Sequence, residues 1–386
     1  MSDNAGPLVG TVVVELGDSA SAPFAGKILA ELGAEVWKVE RPTGDSSRGW
    51  GPSIWKGSGA AFHALNRGKR TICIDIKDPE QLAMLKQLVV DHADVFLHNL
   101  RPGSSGSYGL DADSLRALKP ELVHCEVGAF GNRGPLRELP GYDPLLQAFS
   151  GIMSITGEEG QPPVRAGVSI VDFGTGMWAV IGILSALLRR DRTQDGASVS
   201  SSLLETALAW MTVGIANYQV DGEPGGRFGS GVAFIAPHRA YATSDGHLIV
   251  SCANDALFAR LCEALGHPEW STDERLRTNA ARLANRAELD RLIGEVFACQ
   301  TRAYWKSLLE ASGIPVAPIQ TTAEVAQHEQ IHALGILNSP EDDDVALVGL
   351  PLSFDGVRPR VTFGAHDTGA HDDELRAVLA EAVGED

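Results

Sequence analysis

Short apolar runs alternate with amphipathic stretches through the first half of the chain. Residues 11–16 (Thr-Val-Val-Val-Glu-Leu) read as a buried strand, and Pro23 opens an apolar-faced helix that runs to Leu32 and stops at Gly33. Residues 35–40 repeat the strand pattern, as do 71–76, 94–98 and 122–127, with helical stretches at 79–92 and 112–118 between them. Strands of this length that are apolar nearly throughout are expected where both sheet faces are covered. Their alternation with helices predicts an α/β fold built on a large Rossmann-like, doubly wound parallel sheet.

The pattern then changes. Met177 to Leu188 is the longest apolar run. It is too short to span a bilayer and ends in Arg189-Arg190, so it reads as a core helix. Residues 198–211 read as a long apolar-faced helix, and the glycine-rich stretch 221–231 as a flexible loop or domain boundary. Residues 241–252 suggest a hairpin around Ser244-Asp245-Gly246, and 255–265 and 274–312 are helix-rich with charges of both signs. The expected organisation is a large domain over 1–205, completed by 325–386, and a smaller, mostly helical α+β domain over 225–320. The acidic run 341–344 is most simply a solvated loop.

Composition narrows the functional classes. A 386-residue chain that is 44% hydrophobic can bury a large core, and its net charge of −18 argues against nucleic acid or an anionic membrane as partner. The five cysteines are scattered without CxxC spacing, which suits a reducing cytoplasm. Residues 1–7 lack the basic and apolar regions of a signal peptide.

Asp172 is the main candidate for chemistry. It lies in Gly167-Val168-Ser169-Ile170-Val171-Asp172-Phe173-Gly174-Thr175-Gly176, directly before the apolar run, where a carboxylate is costly unless solvated, paired or used. Asp is also a favoured helix N-cap, which accounts for the same residue without chemistry. Other motifs are weaker. The first strand–helix–strand unit ends in Glu40, but its turn, Gly17-Asp18-Ser19-Ala20-Ser21-Ala22-Pro23, lacks GxGxxG, and Asp18 would repel a pyrophosphate. His328-Glu329-Gln330-Ile331-His332-Ala333-Leu334-Gly335 matches HExxHxxG, yet Asn338 stands where a third histidine is needed, and no metal site is expected. Neither a P-loop nor a GxSxG elbow occurs. Between positions 38 and 70, seven basic residues (Lys38, Arg41, Arg48, Lys56, Arg67, Lys69, Arg70) face only Glu40 and Asp45. That local excess in an acidic chain fits either a solvated face or a site for a small polyphosphate.

Several segments in order resemble the class III coenzyme A-transferase family, which includes formyl-CoA:oxalate and carnitine-type transferases. They are Ala22-Pro23, the stretch 32–42, Gly44-Asp45, Asn66-Arg67-Gly68-Lys69-Arg70, Ala93-Asp94-Val95, Asn99-Leu100-Arg101-Pro102-Gly103, Gly141-Tyr142-Asp143, Gln147-Ala148-Phe149-Ser150-Gly151 and the Asp172 segment. The resemblance implies that Asp172 is the catalytic nucleophile and that Ser19, Ala20, Arg41, Ile74, Asn99, Leu100 and Tyr142 line the CoA pocket. Two basic contacts of formyl-type members are replaced by Ser107 and Pro140, which shifts the phosphate end onto Arg67, Lys69, Arg70 or Arg101. The glycine loop that covers the site in such members corresponds loosely to residues 225–231. Acyl-CoA racemases of the same fold carry His where this chain has Tyr142. Racemisation needs an acid/base group on each face of the α-carbon, and a phenol with a pKa of about 10 is a poor substitute, so transfer is favoured. A non-catalytic acyl-CoA-binding protein is the other alternative, against which the intact Asp172 segment argues.

The expected activity is therefore transfer of CoA from an acyl-CoA to a free carboxylic acid through covalent aspartyl intermediates. The CoA thioester enters as substrate, and no cofactor is permanently bound. Flanking glycines are expected to offer N–H groups to the developing oxyanion. The family implies an interlocked homodimer. Arg48-Gly49-Trp50 follows the CoA-binding strand; an aromatic wall beside arginine suits a short dicarboxylate acceptor and a succinyl-CoA-type donor.

Overall fold

The structure is a computed structural model and describes residues 6–383; Met1 to Ala5, part of the stretch read for a signal peptide, lie outside the described residues. Two compact units are present, one from residues 1–150, 167–212 and 329–386, the other from 151–166 and 213–328.

The first unit is built on six strands: β1 (Val12–Leu16), β2 (Glu35–Glu40), β3 (Lys69–Cys73), β4 (Val95–His98), β5 (Val123–Gly128) and β6 (Ala197–Ser202). They pair in the order β3-β2-β1-β4-β5-β6, every pair parallel. Alternate side chains feed opposite faces. Val13, Val36, Val95 and Val123 pack with Ala25 and Leu29 of α1 (Ser21–Glu31). Val14, Trp37, Ile72 and Phe96 pack with Leu85 and Leu88 of α2 (Pro79–His92) and with Leu375 and Leu379 of the C-terminal helix Asp372–Val383. Asp78 caps α2 by accepting from Glu80 N and Gln81 N, and Pro79 opens its first turn.

Two further helices, α3 (Asp143–Phe149) and α4 (Ile170–Thr193), precede β6, and α5 (Leu203–Trp210) follows it. The run 177–188 thus belongs to a 24-residue helix. By length and composition it alone among the described residues suffices to cross a membrane. Its inward residues Ala179, Val180, Ile183 and Ala186 are instead buried in the core beside α1. The helix expected over 198–211 is corrected: Ala197–Ser202 is a strand, and only Leu203–Trp210 is helical. The register of β6 on β5, Ala197 opposite Val123 through Ser202 opposite Gly128, satisfies a serine-rich backbone that has little helix propensity of its own. Ser202 then caps α5 by accepting from Glu205 N.

The exposed edge of β3 is closed by the C-terminal segment. His371 Nδ1 accepts from Thr71 N at 3.0 Å, His371 N donates back to Thr71 O, and Asp372 Oδ1 accepts from Cys73 N at 2.8 Å. An edge treated this way cannot recruit another strand.

The second unit carries an antiparallel sheet of β7 (His238–Thr243), β8 (Gly246–Ser251) and β9 (Val316–Pro318), ordered β9-β8-β7. The hairpin turns at Ser244-Asp245, where the sequence places it. Helices Asp255–Ala264, Arg286–Phe297 and Arg302–Ala311 cover it through Phe258, Ile293, Phe297 and Trp305. The glycine-rich stretch 225–231 is tied within this unit, with Gly229 N donating to Gly157 O and Arg227 Nη2 to Gln161 O.

Candidate active site

Strands β1 and β4 lie side by side and their chains leave in opposite directions, β1 toward α1 and β4 toward the 99–103 loop. In an open parallel sheet the crevice beyond the carboxyl ends of two such strands is where ligands bind. Residues Gly17 to Ala20 form one wall and Asn99 to Arg101 the other.

Both walls are held from within. Asn99 Oδ1 accepts from Asp18 N at 3.0 Å and its Nδ2 donates to Asp18 O at 2.8 Å, joining the two loops across the crevice. Lys38, fully buried, donates to Gly17 O at 3.0 Å and Asp45 Oδ2 at 2.8 Å, and lies 3.2 Å from Glu15 Oε1. Burial alone would lower the Lys38 ammonium, but Glu15 and Asp45 hold it above its usual range. Asp45 Oδ1 accepts from Ser19 N, and Ser19 has a positive φ of 76°. A serine there is strained unless its surroundings dictate the turn, and these bonds do.

The basic cluster divides on burial. Arg67 and Lys69, expected at the phosphates, are fully buried and correct that reading: Arg67 Nη2 lies 2.8 Å from Glu31 and Lys69 Nζ 2.7 Å from Glu15, both beneath the surface a ligand reaches. Arg70 is on the far edge strand β3, between Glu35 and Glu374. Arg48, nominated for the acid pocket, grips Glu40 through Nε and Nη2 at 2.8 and 2.7 Å, bonds Ser58 Oγ and His366 O, and lies over the Phe62 ring. It has no open edge for a second carboxylate. Trp50 remains exposed. Ile74 and Ala20 are buried, Ala20 at the N-cap of α1, so their side chains belong to the core. Leu100 is half-buried and its N–H donates to His98 Nδ1. Arg41, Arg101 and Tyr142 are exposed, as are Ser107 and Pro140. A cavity of about 280 Å³ opens beside the 99–103 loop, lined in part by Pro102, Gly103, Glu126 and Arg137. Arg137 gave no signal in the sequence, because nothing in its local pattern distinguishes it from a surface arginine.

Asp172 falls in the first turn of α4, and the N-cap is Ser169, so the capping account of Asp172 is replaced. The cap comes from another helix. Asp143, 2% exposed at the start of α3, accepts through Oδ2 from Val171 N at 2.8 Å and from Asp172 N at 3.2 Å, while Gln147 Nε2 donates to its Oδ1 at 2.5 Å. Ile170 N donates to Val168 O and Phe173 N to Ser169 O, so all four opening N–H groups of the helix are engaged. For Gly174 and Gly176, the expectation that flanking glycines serve an oxyanion is corrected. Gly174 and Gly176 lie inside α4, where N–H groups feed the helical ladder. Their missing side chains serve packing: a Cβ on Gly174 would meet Trp210 Cζ2 at 2.7 Å, and one on Gly176 would meet Ser21 O at 2.7 Å. Phe173 and Phe24 rings, 4.7 Å apart, bring the Asp172 turn against the start of α1 and so to the crevice.

The Asp172 carboxylate itself accepts no hydrogen bond among the described residues. Burial, and then the neighbouring Asp143 carboxylate, push it up to about 7. A desolvated, unpaired carboxylate is more basic and more nucleophilic than one in water. Asp143 entered the sequence reading only within the Gly141-Tyr142-Asp143 segment and was given no role; the Pro144 after it marks a helix start, but the role of Asp143 across space leaves no local trace. Around the HExxH match, only Glu329–Ala333 is helical, and no group of three His, Cys, Asp or Glu among the described residues is placed to hold a metal ion.

The parallel sheet, its crevice and a desolvated carboxylate beside it have the form of a ligand-binding site with a candidate nucleophile. Comparison with known proteins makes this specific. CoA-transferase family III matches residues 8–372. A succinate–glutarate CoA-transferase from Agrobacterium fabrum is 37% identical over 93% of this chain and 94% of its own length, and a mouse succinyl-CoA:glutarate CoA-transferase is 36% identical over 90% and 80%. The crystal structure of a CAIB/BAIF family protein from Brucella suis superposes with a TM-score of 0.90 at 37% identity, covering 97% of this chain and all of that one. The chain belongs to CoA-transferase family III. It is a class III CoA-transferase; its named relatives act on acyl-CoA and carboxylic acid substrates.

Proposed function

We propose that the enzyme moves CoA from succinyl-CoA to a C4–C5 dicarboxylate through covalent intermediates on Asp172. The observation that carries this reading is the Asp172 carboxylate, half-buried, without a hydrogen-bond partner and raised to about 7. Its oxygen attacks the thioester carbonyl, the C–S bond breaks, and CoA thiolate leaves a mixed anhydride. The thiolate returns to the aspartyl carbonyl, releasing succinate and leaving an aspartyl-CoA thioester. The acceptor carboxylate attacks that thioester, forming a second anhydride and freeing the thiolate again. Attack of the thiolate on the acceptor's acyl carbonyl yields the new acyl-CoA and regenerates Asp172. One thioester replaces another, so no external energy source enters.

The choice of substrates is supported by relatives named for succinyl-CoA or succinate with glutarate, and by one named for succinyl-CoA and D-citramalate. It no longer draws on Arg48. In this reading the CoA phosphates meet Arg41, Arg101 and Arg137 at the crevice, and Tyr142 borders the thioester. Two chains form the working enzyme: Met177, Trp178, Ile181 and Leu188 on α4, with Leu208 and Trp210 on α5, leave a run of exposed apolar side chains that a second copy would cover. Five free thiols and a CoA substrate suit a reducing cytoplasm.

Incubation with succinyl-CoA followed by hydroxylamine tests the mechanism. A hydroxamate on the peptide containing Asp172, and loss of both label and transfer in Asp172→Ala, are expected. Substantial transfer by Asp172→Ala would refute the covalent route. Specificity constants for dicarboxylates against butyrate-like acids test the acceptor, and sedimentation tests the dimer.

A further inference from the structure

Of the basic residues between positions 38 and 70, Arg41 alone combines a largely exposed side chain with a place at the carboxyl end of β2, beside the crevice. It does not stand unopposed. Asp18 Oδ2 lies 3.3 Å from Arg41 Nη2, with side chains 42% and 54% exposed. The same carboxylate accepts from Ser46 N at 2.7 Å through Oδ1 and from Ser46 Oγ at 2.9 Å through Oδ2. Arg41 completes the group by donating to Ser46 Oγ at 2.8 Å and to Gly44 O at 3.0 Å. A backbone N–H, a hydroxyl and a guanidinium converging on one anion are the donors that usually receive a phosphate oxygen. Here a side chain of the protein already occupies them.

We infer that Asp18 is a built-in counter-anion, a specificity-determining residue that weakens the hold of Arg41 on the phosphates of the CoA ester. The inference rests on the proposed reading that the ester's phosphates meet Arg41. Its physical basis is competition. The Asp18 charge cancels that of Arg41 at short range, and an incoming phosphate must share or displace it. The Asp18 backbone is fixed, bonded at both N and O to Asn99, so the carboxylate leaves only by a side-chain rotation that gives up both contacts to Ser46. The crevice therefore takes CoA with a deliberately lowered electrostatic contribution, which favours release of product in an enzyme that must exchange one CoA ester for another.

Asp18→Asn removes the charge while an amide can keep both contacts to Ser46. With succinyl-CoA at low salt, the variant should lower KM by about two- to fivefold, the size expected for a half-exposed ion pair, and the gain should shrink at high salt. With succinyl-pantetheine, which lacks the nucleotide phosphates, KM should not change. In an Arg41→Ala background Asp18→Asn should have no effect on KM. Calorimetric titration with adenosine 3′,5′-bisphosphate should show the same gain without turnover. A raised KM for succinyl-CoA, an equal change for both esters, or a gain that persists without Arg41 would overturn the inference. If wild type and Arg41→Ala bind the bisphosphate alike, the placement of the phosphates at Arg41 fails instead, whatever Asp18→Asn does.

Discussion

Asp172→Asn should abolish transfer and stabilise the protein. The Asp172 carboxyl rises from 3.8 to about 7 in the fold, so the folded state binds its proton more tightly than the unfolded chain does. For an acid shifted in this direction, ionisation opposes folding. The penalty is absent below the unfolded value near 4, grows as pH rises, and is complete above the folded value near 7. A shift of this size corresponds to about 4 kcal/mol as an upper bound, and solvent reaching the half-buried carboxylate reduces it to about 2 kcal/mol. An amide of the same shape carries no such penalty. Thermal unfolding of wild type and Asp172→Asn without substrate, at pH 4.5, 6 and 8, should show the variant ahead by roughly 2–4 °C at pH 8. The gap should narrow steadily toward acid. A variant no more stable than wild type at pH 8, or a gap independent of pH, would show that the nucleophile is not held desolvated, and the account of its reactivity would fall with it.

Other substitutions probe the supports. Asp143→Asn keeps an acceptor for the α4 N–H groups but removes the charge facing Asp172, so acyl-enzyme formation, which should rise with pH through about 7 in wild type, should do so at lower pH. Gly176→Ala places a methyl against Ser21 O and should cost about 1–3 kcal/mol in denaturant unfolding, because a backbone carbonyl cannot step aside. Arg67→Ala leaves Glu31 buried without its partner and should cost about 3–5 kcal/mol; in whatever fraction folds, KM for acyl-CoA should be unchanged, whereas an increase would restore Arg67 to the ligand site.

What the chain's local pattern determined is the layered α/β architecture. Runs such as Val12-Val13-Val14 can be satisfied only between two covered faces, the hairpin at Ser244-Asp245 follows from its turn residues, and the order of short motifs from Ala22 to Asp172 is specific enough to place the family. The charge excess between Lys38 and Arg70 was legible too, but not its use. Lys38 and Lys69 are held inside by Glu15 and Arg67 by Glu31, residues at least 23 positions away, while Asp45 and Glu40 hold Lys38 and Arg48 from within the same strand–loop segment. Whether an arginine meets a ligand or a buried carboxylate depends on which partner the fold brings within 3 Å, and burial decides that, not composition. The same holds at the nucleophile. Asp172 looked like a cap because caps are local, yet its helix is capped by Asp143, 29 positions away. The sheet order sets β1 beside β4 and so makes the crevice; the packing of Phe24 on Phe173 brings the carboxylate to it. Those contacts join segments more than 80 residues apart in the case of Asp18 and Asn99, and only the closed tertiary structure, by removing water from between them, gives such groups their distances and their charges their strength.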